Sequence, residues 1–249
     1  MADLVTRADR DGWTLLTLNR PAKLNALTVE MFAELRRHVI DLRHDDAVRC
    51  VVLRGAGKCF SAGHDLSAIA EGEGPPSPGW HSETLRMMER LPKPVIAAVH
   101  GHCYTGALEV ALAADFIVAA ADARFGDTHA KWALTPVWGM SQRLPRRVGT
   151  ATAKRLMFTA GMIDADEAVR IGLAEYAVPS GRFDAEIEAL AEGIAANSAF
   201  THAAVKRLLE ATDGGPLDAG LQWEVMESEG HGPDMHERIA AFTTRPRSE

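Results

Sequence analysis

The chain has 249 residues, 47% of them apolar, ample for a sizeable core in one large α/β domain or in a domain with an appendage. Its net charge of −7, with no basic run longer than a pair, disfavours nucleic acid as the main partner. Three cysteines without a C-x-x-C pair, no basic-then-apolar leader, and a longest apolar region (103–121) interrupted by Glu109 and Asp115 lead us to expect a soluble, cytoplasmic protein with reduced thiols and no membrane partner.

In chain order, Trp13 to Leu18 reads as a buried strand ended by Asn19-Arg20-Pro21. Thr28 is a candidate N-cap for a helix to about Arg43, with Met31, Leu35, Val39 and Leu42 as its buried stripe. Val48 to Leu53 is a second strand, closed by Gly55-Ala56-Gly57. In the C-F-S-A-G-H-D-L run at 59–66, Gly63 permits an unusual backbone and Asp65 can cap a short helix. Residues 71–79 read as a surface loop, and a helix from about Ser82 to Arg90 follows.

The stretch from Lys93 to Asp115 is the centre of the chain. A β-rich run, Val95 to Val99, ends at His100-Gly101, and a helix starts at Gly106 and continues through Ala107 to Ala114. Strand, glycine-bearing turn and helix leave free backbone N–H groups at the helix start, a ready site for an anion or a developing oxyanion. Glu109, in the first turn, is the only charge between Lys93 and Asp115. It is either a solvent-facing residue favoured by the helix dipole or a carboxylate with a raised pKa beside an oxyanion site.

Phe116 to Ala119 reads as another strand, and 125–139 as an irregular segment rich in large side chains. Helices are expected at 149–159 and 164–171, then a strand near Glu175 to Val178. From Phe183 the pattern is helical, broken at Gly214-Gly215-Pro216 and Gly232-Pro233, so an α/β body is followed by a helical region. The phosphate-loop pattern fails around Gly55–Lys58, no G-x-S-x-G is present, and the histidines lack metal-ligand spacing, so no metal site is expected.

Together these residues resemble the crotonase superfamily, the enoyl-CoA hydratase/isomerase family. The matches are N-R-P-x-x-x-N-A-L at 19–27, F-S-A-G-H-D-L at 60–66, K-P-V-I-A-A-V-H-G at 93–101, G-A-L-E at 106–109, F-G at 125–126, Q-R-L-P at 142–145 and G-L-A-E-Y-A-V at 172–178. They occur in family order over nearly the whole chain. The resemblance implies a crotonase-type spiral of ββα turns over 1–190. It also implies a helical oligomerisation region over 191–249 that builds a homotrimer or a hexamer.

The resemblance further implies an acyl-CoA thioester as ligand, with coenzyme A as part of the substrate and no separate cofactor. Motif matching places the two oxyanion amides on His64 and Gly106. Family hydratases hold a water with two glutamates; the first matches Glu109, and the second falls at His129, a departure at a catalytic position. His129 is either an acid/base that exchanges protons near neutral pH or a polar loop residue without a catalytic role, and Asp127 is a candidate substitute carboxylate. Ala26, Leu27, Ala62, Gly63, Asp65 and Leu66, with Asn25, lie in segments that resemble the family's CoA-contacting loops.

Lys23 either meets a CoA phosphate or is an exposed lysine. Tyr104, Trp132 and Trp138 are expected as acyl-pocket walls or as core aromatics, with Val137 and Trp138 narrowing the pocket. The implied reaction is addition of water to a 2-enoyl-CoA in fatty-acid or other acyl-CoA metabolism. The alternatives are an isomerase or acyl-CoA hydrolase using one carboxylate, or a catalytically weak acyl-CoA-binding protein.

Overall fold

In the computed structural model, which describes residues 3–244, the apolar runs of the sequence lie side by side in one six-stranded sheet. Its order is β1 (Val5–Asp9), β2 (Trp13–Leu18), β3 (Cys50–Gly55), β4 (Val95–Val99), β6 (Phe116–Ala120) and β9 (Tyr176–Val178). Only the β1–β2 pair is antiparallel. β4 is buried at every residue because helices cover both faces of the sheet, which is why it reads as an unbroken apolar run.

On one face lie α1 (Val29–Arg43), α3 (Trp80–Glu89) and α4 (Gly106–Leu112). The Thr28 hydroxyl accepts the Met31 N–H at 3.2 Å, capping α1, and Met31, Leu35, Val39 and Leu42 are all buried. Burying each such side chain is worth about 1.5–3 kcal/mol. On the other face α8 (Phe183–Ala195) packs Phe183, Ile187, Ala191 and Ala195 against Trp13, Val52, Ile96 and Val118. The expected division at 190/191 falls inside this helix.

A second sheet of three short strands, β5 (His102–Tyr104), β7 (Arg124–Gly126) and β8 (Met162–Asp164), sits beside the start of α4. β5 and β7 run parallel, pairing Tyr104 with Gly126. Sequence patterning does not give these three strands, because three residues show no period. β1 was likewise not expected. Residues 125–139 are less irregular than expected: the segment opens inside β7 and contains a 3-10 turn at His129–Trp132.

A further unexpected helix, α5 (Met140–Val148), carries Pro145 inside it and buries only Met140 and Leu144. The short α2 (Leu66–Ala70), α6 (Thr150–Thr159) and α7 (Ala165–Arg170) follow the sequence reading. The strand expected from Val48 starts at Cys50, because Val48 is in a turn and its carbonyl accepts from Lys93 Nζ at 2.7 Å.

Lys93 and Asp115, the two ends of the central stretch, are both tie points. Lys93 Nζ also donates to Asp45 O at 2.6 Å, and Asp115 Oδ2 accepts from the Val95 N–H at 2.7 Å and from Lys206 Nζ at 2.6 Å. The last contact anchors α9 (Ala199–Thr212) to the body. α9, α10 (Leu217–Glu227) and α11 (Met235–Thr243) are separated at the two glycine-proline breaks and contain no fully buried residue. The stripe Phe200, Ala203, Ala204 and Leu208 is half-buried, whereas Leu209, Leu217, Leu221, Val225, Met226 and Phe242 are exposed. Among the described residues no helix is long and apolar enough to cross a membrane.

Candidate active site

Two glycines bring the segment before α2 against the start of α4. Gly63 has φ +100°, and a Cβ there would lie 2.5 Å from the Tyr104 carbonyl oxygen and 3.5 Å from the Gly106 nitrogen. A Cβ on Gly106 would lie 2.5 Å from Trp138 Cζ3 and 3.3 Å from the His64 nitrogen. A side chain at position 63 would therefore force the two backbones apart, and one at position 106 would drive into the Trp138 ring. The parallel bridge between Leu27 and His64 uses the Gly63 carbonyl and the Asp65 N–H, so the His64 N–H has no part in it. Gly106 N–H is the first of the helix and has no acceptor within it. The two adjacent amides can thus both donate to a ligand oxygen.

Thr105, the residue before Gly106, is held at φ +52°, ψ −108°, a conformation costly for a β-branched side chain. Its N–H donates to Gly126 O at 2.8 Å, and its hydroxyl lies 2.5 Å from that of Thr128 and accepts the Thr128 N–H at 3.0 Å. The short β5–β7 sheet therefore fixes the direction of the helix-start amides. It also delivers residues 127–129 to the same place.

Glu109 is 2% exposed, which excludes the solvent-facing reading. Its Oε1 accepts the N–H groups of Trp138 at 3.0 Å and Met140 at 2.9 Å, so only Oε2 is free for chemistry. Burial pushes its carboxyl above the ordinary carboxylate range, against the Met140 N–H, the His129 charge and the Trp138 N–H, which pull it down. Oε2 lies 3.9 Å from His129 Nε2. That gap is too long for a direct hydrogen bond and wide enough for one oxygen about 2.8 Å from each.

His129 is 9% exposed and opens the 3-10 turn. Its Nδ1 lies 2.6 Å from Asp127 Oδ1, the oxygen that also accepts its backbone N–H at 3.1 Å. Burial acts to lower the pKa of His129. The hydrogen bond and charge of Asp127, with Glu109 beyond, outweigh it and hold the imidazole above its ordinary value. Asp127, 1% exposed, sits behind the imidazole, and its closest described partner is His129. The arrangement reads Asp127, His129, gap, Glu109.

The gap opens on a cavity of about 640 Å³. Ala62, His64, Leu66 and Tyr104 line it together with Gly106, Glu109, His129 and Trp138, so eight of the sites read from the sequence converge. Gly63 underlies the wall without lining it. Tyr104 is fixed by its hydroxyl, 2.9 Å from His102 Nδ1. Trp138 is buried in the wall, whereas Val137 and Trp132 are exposed on the lining.

Lys23, Ala26, Leu27 and Asp65 lie outside the lining. Lys23 is exposed, Ala26 accepts from Arg20 Nη1 at 2.9 Å, and Leu27 is buried in the core. Asp65 caps α2 through the N–H groups of Ser67 and Ala68 and pairs with Arg20 at 2.7 Å. Asn25 is a staple at φ +53°, its amide donating to Ala56 O and Cys59 O at 2.8 Å.

Sequence reasoning passed over Thr105 and His81. Thr105 is invisible because nothing in a sequence marks a strained threonine. His81 reads as a polar position near a helix start, yet it is buried, stacked on Trp138 at 4.7 Å with the Phe32 ring nearly perpendicular to it at 4.6 Å.

The family model for enoyl-CoA hydratase/isomerase matches residues 9–243. A short-chain-enoyl-CoA hydratase of Clostridium acetobutylicum is 36% identical, covering 94% of this chain and 92% of that protein. A crotonyl-CoA hydratase of Syntrophomonas wolfei is 37% identical over 71% of this chain and 70% of its own length. The crystal structure of an enoyl-CoA hydratase from Bacillus anthracis superimposes with a TM-score of 0.89 at 32% identity, covering 96% of both chains. The sheet-and-helix scaffold, the paired amides at the start of α4 and the match over almost the full length have one common reading: the chain belongs to the enoyl-CoA hydratase/isomerase family of the crotonase superfamily.

Proposed function

We propose that this protein is a hydro-lyase that adds water across the 2,3-double bond of a 2-enoyl-CoA thioester. The observation that carries this reading is the free pair, Glu109 Oε2 and His129 Nε2, 3.9 Å apart on the cavity wall. The thioester oxygen accepts from the His64 and Gly106 N–H groups, which stabilise the enolate; losing one such donor typically costs about 3 kcal/mol. Water sits between the pair. One member takes a proton from it as the oxygen bonds to C3, and the other gives a proton to C2. The pair starts and ends with one mobile proton, so the cycle balances.

Coenzyme A enters as part of the substrate, and no further cofactor is needed for this chemistry. The exposed apolar side chains of α9–α11, with Phe158 at 74% exposure on α6, support assembly with further copies as a trimer or a hexamer. A cytoplasmic site of action fits the buried, unpaired Cys50, Cys59 and Cys103. Incubation with a panel of 2-enoyl-CoA thioesters, with products weighed, tests the reaction. Gain of one water supports hydration, whereas an unchanged mass with a moved double bond or release of free CoA replaces it with isomerisation or hydrolysis.

A further inference from the structure

Thr105 occupies the N-cap of α4 but does not behave as a cap. A capping threonine is extended, and its hydroxyl accepts an N–H of its own helix. Here φ is +52° and ψ −108°, and the hydroxyl makes no bond to the helix start. Glycine takes this backbone freely, whereas a β-branched residue takes it at a cost. Strained residues persist only where their surroundings hold them, and they cluster at functional sites.

What holds the Thr105 side chain is Thr128. The two hydroxyls lie 2.5 Å apart, and Thr105 Oγ1 also accepts the Thr128 N–H at 3.0 Å. Thr128 Oγ1 in turn accepts the indole N–H of Trp132 at 3.3 Å, which ties a residue of the cavity lining to the same oxygen. Thr105 is 8% exposed, so these partners replace water around its hydroxyl. The side chain is thus committed to residue 128, the neighbour of His129.

The main chain of Thr105 serves the other half of the site. Its N–H donates to Gly126 O at 2.8 Å, and its carbonyl accepts the Glu109 N–H at 3.0 Å. The peptide bond that follows it carries the Gly106 N–H. Because that unit is planar, ψ of Thr105 sets where the Gly106 N–H points. One residue therefore touches the oxyanion amide, the helix turn bearing Glu109 and the turn bearing His129.

On the reading that the cavity takes acyl-CoA thioesters, we propose that Thr105 is a positioning residue for the reaction. Its hydroxyl, clasped to Thr128, locks the direction of the Gly106 N–H and joins it to the segment that carries His129. Such a donor works only when it is aimed at the place where the oxyanion forms. A glycine would form the same turn without strain but would leave the peptide free to rotate.

The test measures kcat and KM for crotonyl-CoA in the parent, Thr105→Val, Thr105→Ser and Thr128→Val. A small misplacement of reacting groups can cost about a hundredfold, so kcat of Thr105→Val should fall about tenfold or more while KM changes little. Thr105→Ser keeps the hydroxyl and should keep most of the parental kcat. Thr105→Val combined with Thr128→Val should lose little more than Thr105→Val alone, because both remove one interaction. Parental kcat in Thr105→Val, or an equal fall in Thr105→Ser, overturns the proposal.

Infrared spectra of bound butanoyl-CoA, labelled with ¹³C at the thioester carbonyl, separate the clasp from the hydration reading, since this saturated thioester cannot add water. The parent should lower the carbonyl stretch below its value in free solution, and Thr105→Val should return it toward that value. That pattern without turnover of any enoyl-CoA keeps the clasp and removes the hydratase assignment. Hydration by the parent with the same stretch in Thr105→Val removes the clasp and keeps the assignment. Should Thr105→Val fail to fold, Thr128→Val, which keeps the N–H bonded to Thr105, decides by the same two measurements.

Discussion

Asp127 Oδ1 accepts twice from His129, from the backbone N–H at 3.1 Å and from Nδ1 at 2.6 Å. The same oxygen already accepts the backbone N–H and so is an acceptor toward His129; Nδ1 therefore carries the hydrogen and Nε2 is the nitrogen turned to Glu109. Asp127 thus orients the imidazole of the proposed acid/base pair.

Asp127→Asn should lower kcat much more than it changes KM, because the amide oxygen still accepts from His129 but the negative charge that favours the protonated imidazole is gone. The loss should be a sizeable part of the hundred- to ten-thousand-fold, roughly, that an acid/base group contributes. The alkaline limb of the pH profile should also move to lower pH, since the anion holding the imidazole above its ordinary value is gone. Steady-state kinetics from pH 5 to about 10 measure both effects. An unchanged limb would show that the dyad does not set it.

Glu109→Gln should remove most activity, about a hundred- to ten-thousand-fold, while the amide oxygen still accepts from Trp138 and Met140 and keeps the fold. The parent profile should be a bell. Its acid limb lies above the ordinary carboxylate range, because burial raises Glu109, and its alkaline limb above the ordinary histidine value. Both limbs belong to the coupled pair. His129→Ala should lose rate, and His129→Glu should keep hydration while removing the imidazole limb. Parental rates and an unchanged profile in His129→Ala would make His129 a bystander.

Gly106→Ala should be both less stable and less active. The added methyl would lie 2.5 Å from Trp138 Cζ3, and the ring cannot retreat freely because His64, His81 and Phe32 pack on it. Overpacking of this kind costs about 1–3 kcal/mol. Thermal melts and tryptophan fluorescence report the displaced ring, and kcat/KM reports the misplaced amide. Parental values in all three would mean that the tight approach plays no part.

His81 predicts a specific acid sensitivity. Its folded pKa, about 4, lies below the ordinary histidine value of 6.5, so the unfolded chain binds more protons between the two. Its contribution is present in full above pH 6.5 and is lost as pH falls through that window toward 4. Melts of the parent and of His81→Phe at pH 7 and 4.5 should show a smaller acid-induced drop in the variant. An identical drop would assign the sensitivity to the other buried histidines.

The exposed apolar side chains of α9–α11 predict an assembly. Light scattering at micromolar concentration should give the mass of a trimer or a hexamer, and Leu221→Glu with Val225→Glu should lower it. A monomer in the parent would defeat this.

The sequence by itself determined the framework: the strands at 13–18 and 95–99, the α1 stripe and the helix starting at Gly106, whereas the pairing of His64 with Gly106 came only from the resemblance to the family. These were legible because periodicity, capping and glycine demands act over a few residues. It also located Glu109 and His129, but as two open questions. Only the tertiary structure removed the solvent-facing reading of Glu109 and set His129 Nε2 beside it, since burial and distance belong to the packing. Residues 109 and 129 meet because β5 and β7, each too short to show a period, run side by side. The same packing turned Asp127 from a spare carboxylate into the support of His129, and brought His81 from α3 onto the ring of Trp138.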